Sequence, residues 1–551
     1  MSVIVEQPSA GKNALPAWIK ALEEARKTGD HHLIFLPGTY DFYPEGCTRK
    51  YCYFSNNDHS SKNIALYLEG MDDLKISGQN TRLLFHGRLS PLLAEKCRDL
   101  HISGLAIDFE ETFLSDAVIV EQMENSARIR LNGKHFLENG KILFVKDEFE
   151  HLSDQLYIRP YEYQTGETPF DGDVTVVENK DLEIKDGLVT VPGRYKTSGV
   201  LIKHGKRLAP GIVISSCCGV TLTDVTIHHA AGMGLLCQFC SDVTLERVHV
   251  QPSDRVVSAS DDAIHLMECR GKLLIKDCSS SGTLDDAVNV HGIYRPVERT
   301  ADDFSLILET GHPQQTGLPA AAPGDTLELL KADTSRPYAC LKVKEAEQLS
   351  PDRTRVTFEE ALPAVCSSGD GTRVLAPGQA VLEVSGCRFS TLRGRGVLAS
   401  GLAEVRIREC HFHTTGAAVF IAGGCSTWFE TGPVKQAVIE NNVFENCCYN
   451  RFSSTRETVS VFPDIRRTEE DFFCHGRIIV RNNSFISQKR PQIAILSAEE
   501  AVITDNTFTW NTLYPFDPPE QKMWTFAEKN SPCTIFRHVK NVIQERNSDF
   551  Y

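Results

Sequence analysis

Two short segments concentrate the side chains able to do acid–base work. Ser260-Asp261-Asp262-Ala263-Ile264-His265 is followed by Gly282-Thr283-Leu284-Asp285-Asp286-Ala287-Val288-Asn289-Val290-His291-Gly292. The tripeptide Asp-Asp-Ala occurs in both, and Asp262 and Asp285 are 285 − 262 = 23 residues apart. If the chain repeats at that period, Asp262 and the Asp285–Asp286 pair stack on neighbouring turns about 5 Å apart. Carboxylates stacked that way repel and cost stability, so a scaffold gains nothing from them. Chemistry does gain, because crowding keeps one carboxyl protonated as an acid while another stays ionised as a base or nucleophile. That is the equipment for cleaving a glycosidic bond. Two other readings compete: ordinary corner or surface residues on an acidic chain, and a calcium site. The second lacks the regular Asp-x-Asp-x-Asp-Gly loop. Asp261 is an alternative register for the base.

The elements that must position these groups show the same period. Gly219-Val220-Thr221-Leu222 and Asp242-Val243-Thr244-Leu245 are offset by 243 − 220 = 23. Farther on, Cys387-Arg388-Phe389, Cys410-His411-Phe412, Asn442-Val443-Phe444, Asn483-Ser484-Phe485 and Asn506-Thr507-Phe508 recur, the first and last phenylalanine steps again being 23 residues. A unit of that length fits one coil of a parallel β-helix: no coil buries its inward side chains alone, and stacked coils bury them jointly. An antiparallel sandwich would instead show hairpin turns every 8–12 residues. Asp73-Leu74-Lys75-Ile76-Ser77-Gly78 and Asp99-Leu100-His101-Ile102-Ser103-Gly104 extend the solenoid toward the N-terminus. An amphipathic helix over Ala17–Lys27, with Trp18, Leu22 and Ala25 on one face, is expected to cap its open end.

Two stretches break the rhythm and alternate like antiparallel strands, one with Asn132-Gly133 and Asn139-Gly140 turns. The chain therefore divides into a cap and first coils (1–112), an inserted β-barrel-like domain (113–200), coils carrying the aspartates (201–296), a second inserted barrel-like domain (297–378), and C-terminal coils with a tail (379–551). The fold class expected is all-β: a right-handed parallel β-helix with two inserted small antiparallel β-barrel or sandwich domains, the hand being implied by the resemblance given below.

Composition bounds the function. With 58 Lys and Arg against 73 Asp and Glu the net charge is −15, and no basic run offsets it, which excludes a free-standing nucleic-acid binder. No apolar stretch is long enough to cross a membrane. The first residues lack signal-peptide order, so the chain as it stands reads as cytoplasmic; with a leader preceding this sequence it would be secreted or periplasmic. The 18 cysteines include no paired zinc-type spacing and are expected to be buried, reduced thiols.

Motifs along nearly the whole chain resemble glycoside hydrolase family 110, the exo-acting α-1,3-galactosidases. They are Leu36-Pro37-Gly38-Thr39-Tyr40-Asp41-Phe42-Tyr43-Pro44, Tyr53-Phe54-Ser55-Asn56 and Phe85-His86-Gly87-Arg88, then the two aspartate segments, Arg393-Gly394-Arg395-Gly396, and Trp428-Phe429-Glu430-Thr431-Gly432. Phe429 stands where the family pattern has Tyr. The resemblance implies a right-handed β-helix with inserted barrels, release of terminal α-1,3-linked D-galactose with inversion, and no metal or other cofactor. It implies Asp262, Asp285 and Asp286 as catalytic residues. By analogy with polygalacturonases, Asp285 would protonate the leaving oxygen and Asp262 and Asp286 would activate water. Asp285 and Asp286 serve one site only if the strand bends there, which Gly282 permits.

Several residues are candidates for gripping the sugar. Trp428 offers a ring for the apolar face of galactose, Glu430 and Arg395 offer charge-assisted hydrogen bonds, and His265, Asn289 and His291 follow the catalytic motifs closely; each has a plain packing or ion-pair reading as well. The partner expected is an α-galactosyl-terminated glycan, linear or of blood-group-B type, with no nucleic acid and no membrane. The family's homodimer is neither demanded nor excluded. Two rivals stand: a pectin-type, polygalacturonase-like hydrolase, and a non-catalytic glycan-binding or fibre β-helix. A carboxylated substrate calls for Arg and Lys in the cleft, and the segment 259–294 holds only Arg270, Lys272 and Lys276, away from the aspartates. On that ground a neutral sugar is expected.

Overall fold

A computed structural model describes residues 2–147, 149–203, 207–390, 393–515, 525, 528 and 531–550. Part of the C-terminal tail expected from sequence thus lies outside the described residues. The main body is one continuous stack of parallel strands, a parallel β-helix. Its registers follow the sequence repeats: Val220 pairs with Val243 and Ile76 with Ile102. Within this stack the pairing of Thr48–Cys52 with Ser60–Glu69 is antiparallel. Inward side chains of successive coils merge into a single apolar core running from Val3 to Trp510.

The phenylalanine repeat becomes a physical ladder. Phe389, Phe412, Phe444, Phe485 and Phe508 pair in register on successive coils, with ring centroids 4.8–5.5 Å apart. Beside it, the residue before each inward turn is left-handed: Gly386, Glu409, Asn441, Asn482 and Asp505 all have positive φ. The next residue fills the corner. There the backbone N–H of Cys387 donates to Cys410 Sγ, that of Cys410 to Asn442 Oδ1, and Asn442, Asn483, Asn506 and Asn547 continue as a hydrogen-bonded asparagine ladder. Cys gives way to Asn at this position, and either offers an acceptor to the coil before it. All 18 cysteines are free thiols and 12 are buried.

The expected N-terminal helix spans Leu15–Thr28, with Pro16 in its first turn and Gly29 left-handed at its end. Trp18, Leu22 and Ala25 join the apolar core and Trp18 stacks on Phe35.

Both interruptions of the repeat are antiparallel. Strands between Leu114 and Lys203 form a seven-stranded open sheet and a separate three-stranded sheet, rather than a closed barrel. The strands between Arg295 and Val374 do close into a six-stranded barrel. Each insertion has its own apolar core. Among the described residues no helix is long and apolar enough to cross a membrane.

Candidate active site

Strands Ile264–Met267 and Val288–His291 lie side by side with Ile264 opposite Val288, and Val288 is opposite Val397 on the next coil. Two residues before each of these stand Asp262, Asp286 and Arg395. The local offset is therefore 288 − 264 = 24, one more than the general repeat, and it brings Asp286 rather than Asp285 level with Asp262. The backbone N–H of Asp286 donates to Asp262 Oδ1 at 3.1 Å. Arg395, third in the column, donates from its backbone N and Nε to Asp286 Oδ1 at 2.7 and 2.9 Å, and its Nη2 lies 2.8 Å from Oδ2.

The chain bends at Leu284–Asp285 instead of running as a strand, downstream of left-handed Gly282. That bend lets adjacent aspartates share a site. Gly394 makes room for it: a Cβ there would sit 2.5 Å from the Asp285 carbonyl carbon, and its φ is +95°. Asp285 receives Arg393 Nη1 at 3.1 Å and Arg207 Nη2 at 3.2 Å. One oxygen from each of Asp262, Asp285 and Asp286 lies within 4.8 Å of the others. That spacing would suit a cation, but Arg207, Arg393 and Arg395 already supply positive charge to Asp285 and Asp286.

Asp261 is separate. Its Oδ1 accepts from Lys203 Nζ at 2.9 Å and Arg207 Nε at 2.8 Å, so it holds Arg207 in place, and it does not line the cavity.

Burial and neighbouring charge split the three carboxyls. Burial, then the nearby Asp285, pushes Asp262 up to about 8 against the pull of Arg207. Burial pushes Asp286 up to about 7, with Asp285 and Asp262 adding to it and Arg395 opposing. At Asp285 burial acts in the same sense but is outweighed by Arg393, Arg207 and Arg395, which hold it below the ordinary carboxylate value. Of the three, Asp285 is the one its surroundings hold most strongly in the ionised form. This order is the reverse of the one the polygalacturonase analogy implies.

The three aspartates open onto a cavity of about 530 Å³, within the roughly 300–1,000 Å³ range of small-ligand sites. Asn289, Arg395, Trp428 and Glu430 line it. Asn289 Oδ1 is buried with no hydrogen-bond partner among the described residues. Trp428 leans on His312, ring centroids 4.4 Å apart, and its carbonyl accepts from Gln315 Nε2. The barrel insertion thus buttresses this wall. His265 and His291 are placed otherwise: both are buried behind the carboxylates and neither is on the cavity wall.

Among the lining residues that sequence reasoning passed over, four carry weight for the chemistry. Asn56 and Arg393 sit inside motifs already quoted, and Arg207 and Arg159 carried no signal. The Arg159 side chain, from the open-sheet insertion, makes no hydrogen bond or ion pair among the described residues, and burial with Arg393 nearby lowers it to about 9. The charge argument for a neutral sugar is therefore corrected. Arg159, Arg207, Arg393 and Arg395 gather at the cavity from far outside 259–294, although all but Arg159 are paired with aspartates.

Comparison with known proteins bears on what such a cavity serves. A family model described as GLAA-B beta-barrel domain II matches residues 305–371, inside the closed barrel. Over most of its length the chain is similar to curated proteins named alpha-1,3-galactosidase. It is 28% identical to Alpha-1,3-galactosidase A of Shewanella woodyi, covering 87% of this chain and 80% of that one. It is 29% identical to Alpha-1,3-galactosidase B of Phocaeicola vulgatus, covering 94% and 93%, and 26% identical to Alpha-1,3-galactosidase B of Bacteroides thetaiotaomicron, covering 92% and 85%. Among solved structures, the Azotobacter vinelandii mannuronan C-5 epimerase AlgE6 A-module overlaps 96% of this chain and 95% of its own at 9% identity, with a TM-score of 0.39, too loose to bear on the site.

Proposed function

We propose that the protein is a glycoside hydrolase that releases terminal α-1,3-linked D-galactose from a glycan, with Asp262, Asp285 and Asp286 as its catalytic carboxyls. The observation that carries this reading is the meeting of three aspartates with opposed protonation preferences on one cavity wall, in a chain similar along its length to proteins named alpha-1,3-galactosidase. Hydrolysis needs one carboxyl to protonate the departing oxygen and another to draw a proton from water. The resting charges support Asp285 as the base, since Arg207 and Arg393 keep it ionised. Burial favours a proton on the Asp262–Asp286 pair, which reaches the leaving oxygen once Asp286 is freed from Arg395 or Asp262 from His265. For Asp285 to be the acid, a bound sugar would have to displace one of its arginines first.

Galactose would sit against Trp428, with Asn289, Glu430 and Arg395 gripping its hydroxyls. The nearest oxygens are as close as in a retaining pair, for which carboxyls stand roughly 5–5.5 Å apart. Inversion therefore rests on the family resemblance and on the third carboxyl, which leaves room to hold water away from the acid.

The test is hydrolysis of Galα1-3Gal and of 4-nitrophenyl α-galactoside beside a nitrophenyl galacturonide. Release of galactose from the first two with an inert galacturonide is expected. Cleavage of the galacturonide alone would favour the pectin-type reading, for which the cavity-lining Arg159 speaks. No cleavage of any would favour a binding module.

A further inference from the structure

Behind the aspartates runs a line of hydrogen bonds whose proton count is fixed by geometry. His291 Nδ1 is 2.8 Å from the Gly292 carbonyl oxygen, His291 Nε2 is 2.9 Å from His265 Nε2, and His265 Nδ1 is 2.7 Å from Asp262 Oδ2. The two rings cross at 85°, and His265, His291 and Asp262 are 0, 2 and 3% exposed. A carbonyl only accepts, so His291 carries a proton on Nδ1. Two ring nitrogens 2.9 Å apart need one proton between them, and so does the contact from His265 to Asp262. Three contacts require three protons, and two neutral imidazoles bring only two.

Building on the hydrolase reading above, we propose that His265 and His291 hold one additional proton in common with Asp262, making His265 a positioning residue that lets Asp262 change between carboxyl and carboxylate inside the site. With both rings neutral the proton is on Asp262 Oδ2. Breaking that O–H bond and forming His265 Nδ1–H leaves a carboxylate beside an imidazolium. Moving the Nε2 proton of His265 across to His291 shifts the positive charge toward Glu430, whose Oε1 is 3.7 Å from His291 Nε2. The three arrangements have the same net charge. Asp262 can thus respond to charge changes at Asp285 and Asp286 without a proton crossing the cavity.

The surroundings favour the all-neutral arrangement. Asp262 faces the carboxyls of Asp285, Asp286 and Asp261 with the guanidinium groups of Arg207 and Arg395, and burial raises it. Burial, then His291 and Arg207, hold His265 well below its ordinary value, while Glu430 and Asp285 act the other way.

Nitrogen-15 NMR of the histidine-labelled full chain reads the tautomers without any substrate. The expected result is His291 protonated on Nδ1 and His265 on Nε2, with the Asp262 carboxyl still protonated at neutral pH. A lone proton on Nε2 of His291, or an Asp262 carboxyl that ionises near 4, would overturn the proposal. A double-mutant cycle gives the functional reading. His265→Gln is expected to lower kcat about 10²-fold and to shift the pH profile, yet to cost less than about twofold more in an Asp262→Asn background. Losses that multiply in full would overturn it. If the tautomers are as expected and no galactoside is cleaved, the hydrolase reading fails and the proton-sharing line stands.

Discussion

The phenylalanine ladder and the aspartate column are products of one repeating chain, with opposite energetics. In the ladder, like sits on like: Phe389 to Phe508 stack apolar rings, and Asn442 to Asn547 each satisfy the coil before. Repetition there adds burial and hydrogen bonds coil by coil. In the column, Asp262 and Asp286 are also like on like, but like charges repel. The third rung is Arg395 instead of another aspartate, Arg393 joins it from the same loop and Arg207 from a distant segment, and burial raises two of the three carboxyls. Where the repeat is left unmodified it stabilises; where it carries unlike groups held by distant arginines, it stores the potential for chemistry.

Substitutions on the two columns should therefore act on different observables. The largest effect is expected at the carboxyls. Asp285→Asn and Asp286→Asn should each lower galactosidase activity about 10²–10⁴-fold, and whatever stability they cost should come from the arginines left without a carboxylate rather than from lost packing. If Asp285 is the base, its variant should lose nitrophenyl galactoside and Galα1-3Gal alike. The Asp286 variant should be relatively spared on the nitrophenyl substrate, whose leaving group needs little protonation. Unfolding curves and rates on both substrates check this.

On the ladder the effects reverse. Phe485 is fully buried between Phe444 and Phe508, and Phe485→Ala should cost about 3–5 kcal/mol of stability. Activity per folded molecule should stay within about twofold. Chemical denaturation with parallel kinetics measures both.

A smaller effect is expected in the pH dependence of stability. A carboxyl raised in the folded state to about 8, as at Asp262, contributes stability that is complete below the unfolded value of roughly 4. Between those two pH values the unfolded chain is ionised and the folded one still protonated, so stability falls as pH rises toward the folded value. Asp262→Asn should flatten this slope, read as Tm across that interval.

Much of this contrast was legible in the sequence, and the reasons differ by region. The ladder was readable because repetition is local: Phe389, Phe412 and Phe508 announce the coil by spacing alone. Asp262, Asp285 and Asp286 stood out because two identical tripeptides recur at nearly that spacing. The exact pairing did not, because one extra residue in the coil makes Asp286 the true neighbour of Asp262. Arg207 and Arg159 were invisible because their place at the cavity depends on how the strands of 114–203 return to the coils. His265 and His291 looked like sugar ligands by proximity in sequence; they share a strand face with the cavity-lining Asn289, but their bonds to Asp262 and to each other keep them buried off the cavity wall. The two insertions were visible as breaks in rhythm, whereas their division of labour was not: one lines the cavity through Arg159, and the other props Trp428 through His312 and Gln315.

The most direct measurement of the central claim is proton NMR of the first galactose released from Galα1-3Gal by the wild-type protein, with the Asp262→Asn, Asp285→Asn and Asp286→Asn variants alongside. The expected result is β-galactose appearing before mutarotation, and a large loss of release in all three variants. Initial α-galactose, or near-normal release by the Asp285 and Asp286 variants, would contradict it.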